Sequence, residues 1–168
     1  MTCINTLSSR RCGGFTLMQV LVSMAIGSIV VTAGVPKVRE AERRSRASII
    51  VADLHTLGAA FETYAQEHGT WPEEVDAGEM PAEMAGRLGP TSWLRITPLG
   101  GHYNWEKDQM HGGIRYRAAI SISSTSDAPL TVDPESLAEI DHVLDDGNLS
   151  TGLFRTGVSY DALYILQQ

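Results

Sequence analysis

The sequence predicts an α+β fold, a long N-terminal membrane-spanning helix packed on a small antiparallel sheet. Three patterns carry that prediction: an uncharged run from Phe15 to Val35, an apolar stripe at helical spacing from Ala47 to Tyr64, and alternating strand-like segments after His102. The chain has 168 residues and 18.2 kDa, enough for one ordinary domain. Thirteen Lys and Arg against twenty Asp and Glu leave a net charge of −7, which argues against nucleic acid as a partner. Both cysteines, Cys3 and Cys12, stand in the first dozen residues, so no thiol is left downstream for a disulfide, a zinc site or a nucleophile.

The run FTLMQVLVSMAIGSIVVTAGV contains no formal charge and a single amide, Gln19. As a helix rising 1.5 Å per residue it measures about 31 Å, close to the hydrocarbon thickness of a bilayer. Two other readings remain open. A buried core helix is usually shorter and rarely flanked by charge on both sides. A secretory signal peptide has a shorter apolar stretch ending in a small-x-small site, which Ala33-Gly34-Val35-Pro36 mimics.

Ahead of the run stand Arg10-Arg11-Cys12-Gly13-Gly14, then Phe15-Thr16-Leu17. A short basic leader, a glycine, Phe-Thr-Leu and an apolar span together form a specific signal. Here the chain resembles type IV pilins and the pseudopilins of type II secretion, and the fold expected is pilin-like. The resemblance implies cleavage after Gly14 by a prepilin peptidase on the cytoplasmic face and methylation of the new N-terminal Phe15. Both are positions acted upon, with no catalytic role. It also implies a bacterial inner-membrane protein with a periplasmic head, assembled with other pilin or pseudopilin subunits through an inner-membrane assembly platform. Pro36 closes the apolar run where members of the family commonly kink the long helix, and proline there removes a backbone donor. His68-Gly69-Thr70-Trp71-Pro72 resembles the Gly-x-aromatic-Pro turn that ends the helix in many pseudopilins.

One position departs from the family. At Gln19, the fifth residue of the implied mature chain, filament-forming members usually carry Glu, whose carboxylate meets a neighbour's terminal amine in an apolar setting. Glutamine can bond to an ammonium but supplies no charge, so a bundle of identical copies would bury unpaired cations. The expectation is a minor or initiating subunit. Topology is contested too: Lys37, Arg39, Arg43, Arg44 and Arg46 beyond the span outnumber Arg10 and Arg11 before it, which favours the opposite orientation by charge counting. Cleavage at Gly14 on the cytoplasmic face requires the N-terminus inside.

The resulting organisation is a leader at 1–14, a transmembrane and assembly helix at 15–36, the soluble half of the long helix at 37–69, and an α+β head at 70–168. In the soluble half Ala47, Ile50, Leu54, Leu57, Phe61 and Tyr64 recur at three- and four-residue steps, a stripe suited to packing on the head's own sheet. Arg39 to Arg46 lack such a stripe and are expected to face water. Ser23, Gly27 and Ser28 would let neighbouring spans approach closely. Within the head, Pro81 opens a short helical turn between Gly78 and Leu88. Strands are expected at His102–Trp105, Gly113–Ser123, Leu149–Phe154 and Val158–Leu166, with a helix from Asp133 to about Leu144 opened by a capping Asp and a Pro. Gly100-Gly101 and Gly112-Gly113 read as hairpin turns between strands.

Chemistry-bearing constellations are sparse. Asp145-Asp146-Gly147-Asn148 makes Asp145 and Asp146 weak calcium candidates, because some pseudopilins bind calcium in a C-terminal loop, but His142 and Leu144 occupy positions an EF-hand needs for oxygen ligands. A tight turn explains the same residues. His55, His68, His102, His111 and His142 show no zinc spacing. No Gly-x-Ser-x-Gly elbow, Ser-x-x-Lys or phosphate loop is present, so no catalytic residue and no cofactor are assigned. Trp71, Trp93, Tyr103 and Trp105 read as core packing sooner than a binding surface. The leading expectation is a non-enzymatic pilin-like subunit of a type II secretion pseudopilus or type IV pilus. The alternative is a membrane-anchored periplasmic binding or enzymatic domain with an uncleaved signal anchor.

Overall fold

The computed structural model describes residues 16–111, 113–131, 133–157 and 162–168. The chain divides into two compact units, Met1–Arg39 and Glu40–Gln168. In chain order the elements are α1 (Leu17–His68), a 3-10 turn (Ala82–Met84), α2 (Pro90–Trp93), β1 (His102–His111), β2 (Ile114–Ser123), α3 (Pro134–Leu144), β3 (Phe154–Thr156) and β4 (Ala162–Gln167). The four strands form one antiparallel sheet in the order β1-β2-β4-β3. This is the predicted α+β arrangement of a long apolar helix and a small antiparallel sheet.

In the second unit the predicted stripe is the core. Ala47, Ile50, Leu54, Leu57, Phe61 and Tyr64 are buried together with Tyr103, Trp105, Ala118, Ile120 and Ile122 of the sheet. Phe61 lies flat on Trp105 with ring centroids 3.9 Å apart, and Trp93 tilts against Phe61 at 5.4 Å. The indoles of Trp93 and Trp105 donate to the carbonyls of Glu79 (2.6 Å) and Pro72 (3.1 Å), so burying these rings strands no polar atom. Gly58 brings helix and sheet close: a Cβ there would meet Leu166 at 3.0 Å.

Helix α1 stops where the sequence says it should. Gly69 takes φ of +72° and its N–H bonds the carbonyl of Ala65 at 2.8 Å, a glycine-terminated helix end. Trp71 and Pro72 then lead the chain over β1, and the N–H of Gly78 reaches the carbonyl of Tyr103 at 3.1 Å. The side chains of Lys107 and Gln109 bond Glu73 and Glu74 at 2.7 and 2.6 Å, tying this segment to β1. Those pairs explain why β1 runs on to His111 through a charged stretch, well past the expected end at Trp105: the strand is fixed by its neighbours and by β2, not by its own hydropathy.

Several expectations need correction. The segment from Leu149 to Leu153 is a turn, and the strand is Phe154–Thr156. Side chains have taken the backbone donors a ladder would use: Asn148 Oδ1 accepts from the N–H of Ser150 at 3.2 Å and Asp145 accepts from that of Leu153. Gly100-Gly101 is not between strands but closes a turn begun at Thr97, immediately before β1. There a Cβ on Gly101 would lie 2.6 Å from the carbonyl oxygen of Ser123, so only glycine fits. Helix α2 was not expected. Of the last predicted strand, 162–167 are observed, and Val158–Asp161 lie outside the described residues, as do Cys3, Cys12 and Gly112. Arg44 faces water as expected and Arg43 is at the edge of it, and both also pair at the surface: Arg43 with Glu135, and Arg44 with Glu40 at 2.6 Å and Glu139 at 3.5 Å. Helix α3 itself starts as predicted, with Asp133 accepting from the N–H of Glu135 at 3.2 Å.

Candidate functional site

The described part of the N-terminal unit opens at Thr16, whose carbonyl accepts from the N–H groups of Gln19 (2.9 Å) and Val20 (3.2 Å). Its hydroxyl also accepts from the N–H of Gln19 at 3.3 Å, so one side chain caps the helix at the position the sequence requires. From Leu17 the helix continues through Pro36 without interruption, although proline leaves the carbonyl of Thr32 without its helical donor. The helical pattern thus resumes beyond Pro36, as the sequence predicts.

None of the large apolar side chains in this stretch is covered by the chain itself. Leu17, Met18, Ile29 and Val30 are 65 to 78% exposed, and every described residue from Thr16 to Thr32 is open. The stretch is long and apolar enough to cross a membrane. Its hydroxyls are internally satisfied: Ser23 donates to the carbonyl of Gln19 at 2.8 Å, Ser28 to that of Met24 at 2.9 Å, and Thr32 to that of Ser28. Such back-bonding lets a polar side chain sit in hydrocarbon without an unpaired donor. The Gln19 amide differs, for its side chain makes no hydrogen bond among the described residues. Gly27 differs as well. A Cβ there would touch nothing within 4 Å, so the chain's own packing gives no reason for a glycine that weakens the helix.

Residues 9–35 match the family profile described as the prokaryotic N-terminal methylation motif. The chain carries a prepilin-type N-terminal segment. This segment is the hallmark of type IV pilins and pseudopilins, and it holds Gly14, Phe15 and Gln19 and stops one residue short of Pro36. No curated protein matches the chain. Gly14 and Phe15 lie outside the described residues, so the geometry of the prepilin-type segment begins at Thr16.

The weak calcium candidates occupy a different place, at the C-terminal end of α3. Asp145 and Asp146 are exposed and stand beside Asp141, which is fully buried. Sequence reading missed Asp141, which only its burial sets apart from Glu135 and Glu139 on the same helix. Among the described residues no histidine joins this acidic group. The tryptophans expected in the core are there: Trp93 and Trp105 are fully buried and Trp71 is half-buried against Trp105.

Proposed function

We infer that this chain is a non-enzymatic pilin-like subunit, cut by a prepilin peptidase between Gly14 and Phe15 and methylated on Phe15, then assembled through its N-terminal helix. The match of residues 9–35 to the methylation motif carries the reading. Its support is a helix whose apolar side chains find no cover within the chain, which is what a span needs if lipid and then neighbouring subunits are its surroundings. The prepilin peptidase, other pilin or pseudopilin subunits and an inner-membrane assembly platform are the partners, with the N-terminus cytoplasmic and the head periplasmic. A minor or initiating role in a type II secretion pseudopilus or a type IV pilus follows from Gln19. Its amide, without a hydrogen bond among the described residues, can accept one donor from a neighbour's terminal amine, yet it leaves the charge uncompensated. Pro36 frees one carbonyl at the end of the assembly segment and gives the helix a place to bend when subunits pack.

Co-expression with a prepilin peptidase tests the reading. The wild-type chain shortens by its 14-residue leader, and Gly14→Asp stays full length. A chain left uncut by an active peptidase would remove the basis for pilin-like assembly and favour an anchored domain.

A further inference from the structure

Between α3 and β3 the chain reads Asp146-Gly147-Asn148-Leu149-Ser150, and Asn148-Leu149-Ser150 is the only Asn-x-Ser/Thr triplet in the sequence. With no proline at its centre, such a triplet is the acceptor pattern for N-linked glycan transfer, provided that it lies on a surface loop. Asn148 and Ser150 are both exposed, while Leu149 between them is half-buried against the core. The apolar residue anchors the turn and the two polar side chains stand outside it. Gly147, at φ of +79°, places no side chain beside Asn148.

A turn alone can call for the same residues, and the hydrogen bonds show how much of them it uses. Asn148 Oδ1 accepts from the N–H of Ser150 at 3.2 Å. The N–H of Asn148 donates to Asp146 Oδ1 at 2.8 Å, and its carbonyl accepts from the N–H of Thr151 at 2.8 Å. An aspartate at 148 would make every one of those bonds, since its carboxylate oxygen forms the same turn. What the turn leaves unused is the amide nitrogen: Asn148 Nδ2 makes no hydrogen bond among the described residues, and neither does the Ser150 hydroxyl. Those are the two groups that glycan transfer uses, the nitrogen as nucleophile and a hydroxyl two residues on for the transferase to bind. Asp146, two residues ahead and held by the Thr151 hydroxyl at 2.7 Å, adds a fixed carboxylate that a cationic enzyme groove can grip.

We propose that Asn148 is an N-glycan acceptor, taking one oligosaccharide from a lipid-diphosphate donor. In the transfer Nδ2 attacks C1 of the donor's first sugar. The N–C bond forms as the C–O bond to the diphosphate breaks, a base of the transferase takes one amide proton, and the lipid diphosphate leaves with the bonding pair. Modification in the cell rests on the proposed periplasmic head, where such a donor and its transferase would meet the turn. A glycan is bulky and hydrated, so a modified subunit must keep this turn toward solvent in any assembly.

The experiment has two arms, both read by intact mass and by the mass of the peptide that contains Asn148. The purified full chain in detergent is incubated with a bacterial oligosaccharyltransferase of the kind that requires an acid two residues before its acceptor, together with its lipid-diphosphate-linked oligosaccharide. The same enzyme and donor are co-expressed with the chain in cells. The expected result in both arms is a gain of one glycan mass on that peptide. Ser150→Ala removes a hydroxyl that the fold does not use, so it should lose the glycan at an unchanged head Tm, whereas Ser150→Thr should keep it. Asn148→Asp retains the turn's acceptor oxygen without Nδ2 and should lose the glycan completely. An unmodified wild-type chain in detergent, or a glycan that persists in Asn148→Asp, would overturn the proposal. A glycan gained in detergent but absent in cells would support the acceptor and contradict the periplasmic head, so the two readings fail separately.

Discussion

The two portions of α1 show what an apolar side chain does when its surroundings differ. From Ala47 to Tyr64 the apolar residues form a narrow stripe, and each is buried against the sheet. From Leu17 to Val31 they surround the helix on every side, and none is buried. Water would tolerate the first arrangement and reject the second. The first portion is folded by its own chain. The second is completed only by lipid or by other helices, so its sequence describes an environment outside the molecule.

Breaking the buried portion should have the largest effect on stability. Trp105→Ala removes a ring stacked on Phe61 and bonded to Pro72 and should cost the head about 3–5 kcal/mol, read by denaturant unfolding, while leaving leader cleavage unchanged. The reverse pattern is expected in the exposed portion. Ile29→Arg, 70% exposed in the wild type, should cost about 2.5–3.5 kcal/mol of insertion, seen as loss from the membrane fraction, with the head's Tm unmoved. Gln19→Glu sharpens the comparison from the assembly side. It should raise incorporation into filaments, with equal recovery of both forms in the filament fraction counting against the charge argument. Smallest is Arg44→Ala, which removes exposed pairs to Glu40 and Glu139 and should shift head stability by about 0.3–0.5 kcal/mol, an effect that fades in high salt.

What could be read from the residues followed the same division. The core helix was legible because Ile50, Leu54, Leu57 and Phe61 announce one face through spacing alone. Asp133-Pro134 and Gly69 fixed helix ends through local chemistry. The far half of β1 was not legible, because Glu106 to Gln109 are held in a strand by partners distant in sequence: Glu73, Glu74 and the facing residues of β2. Leu149 to Leu153 misled for the opposite reason, being apolar enough for a strand while Asp145 and Asn148 capture its donors. Of the N-terminal segment, the pattern around Gly14, Phe15 and Gln19 was legible because it is local sequence, and all three fall within the matched residues 9–35. Asp141 was hidden because burial, not residue type, makes it unusual: Glu135 and Glu139 are acids on the same helix, and nothing local shows which of the three the fold will cover.

The most direct measurement is the N-terminal sequence and intact mass of the protein recovered from native membranes. A chain starting at a methylated Phe15 is the predicted result. A chain starting at Met1, or one starting beyond Val35, would contradict prepilin processing and leave the apolar helix as an ordinary anchor or a discarded signal.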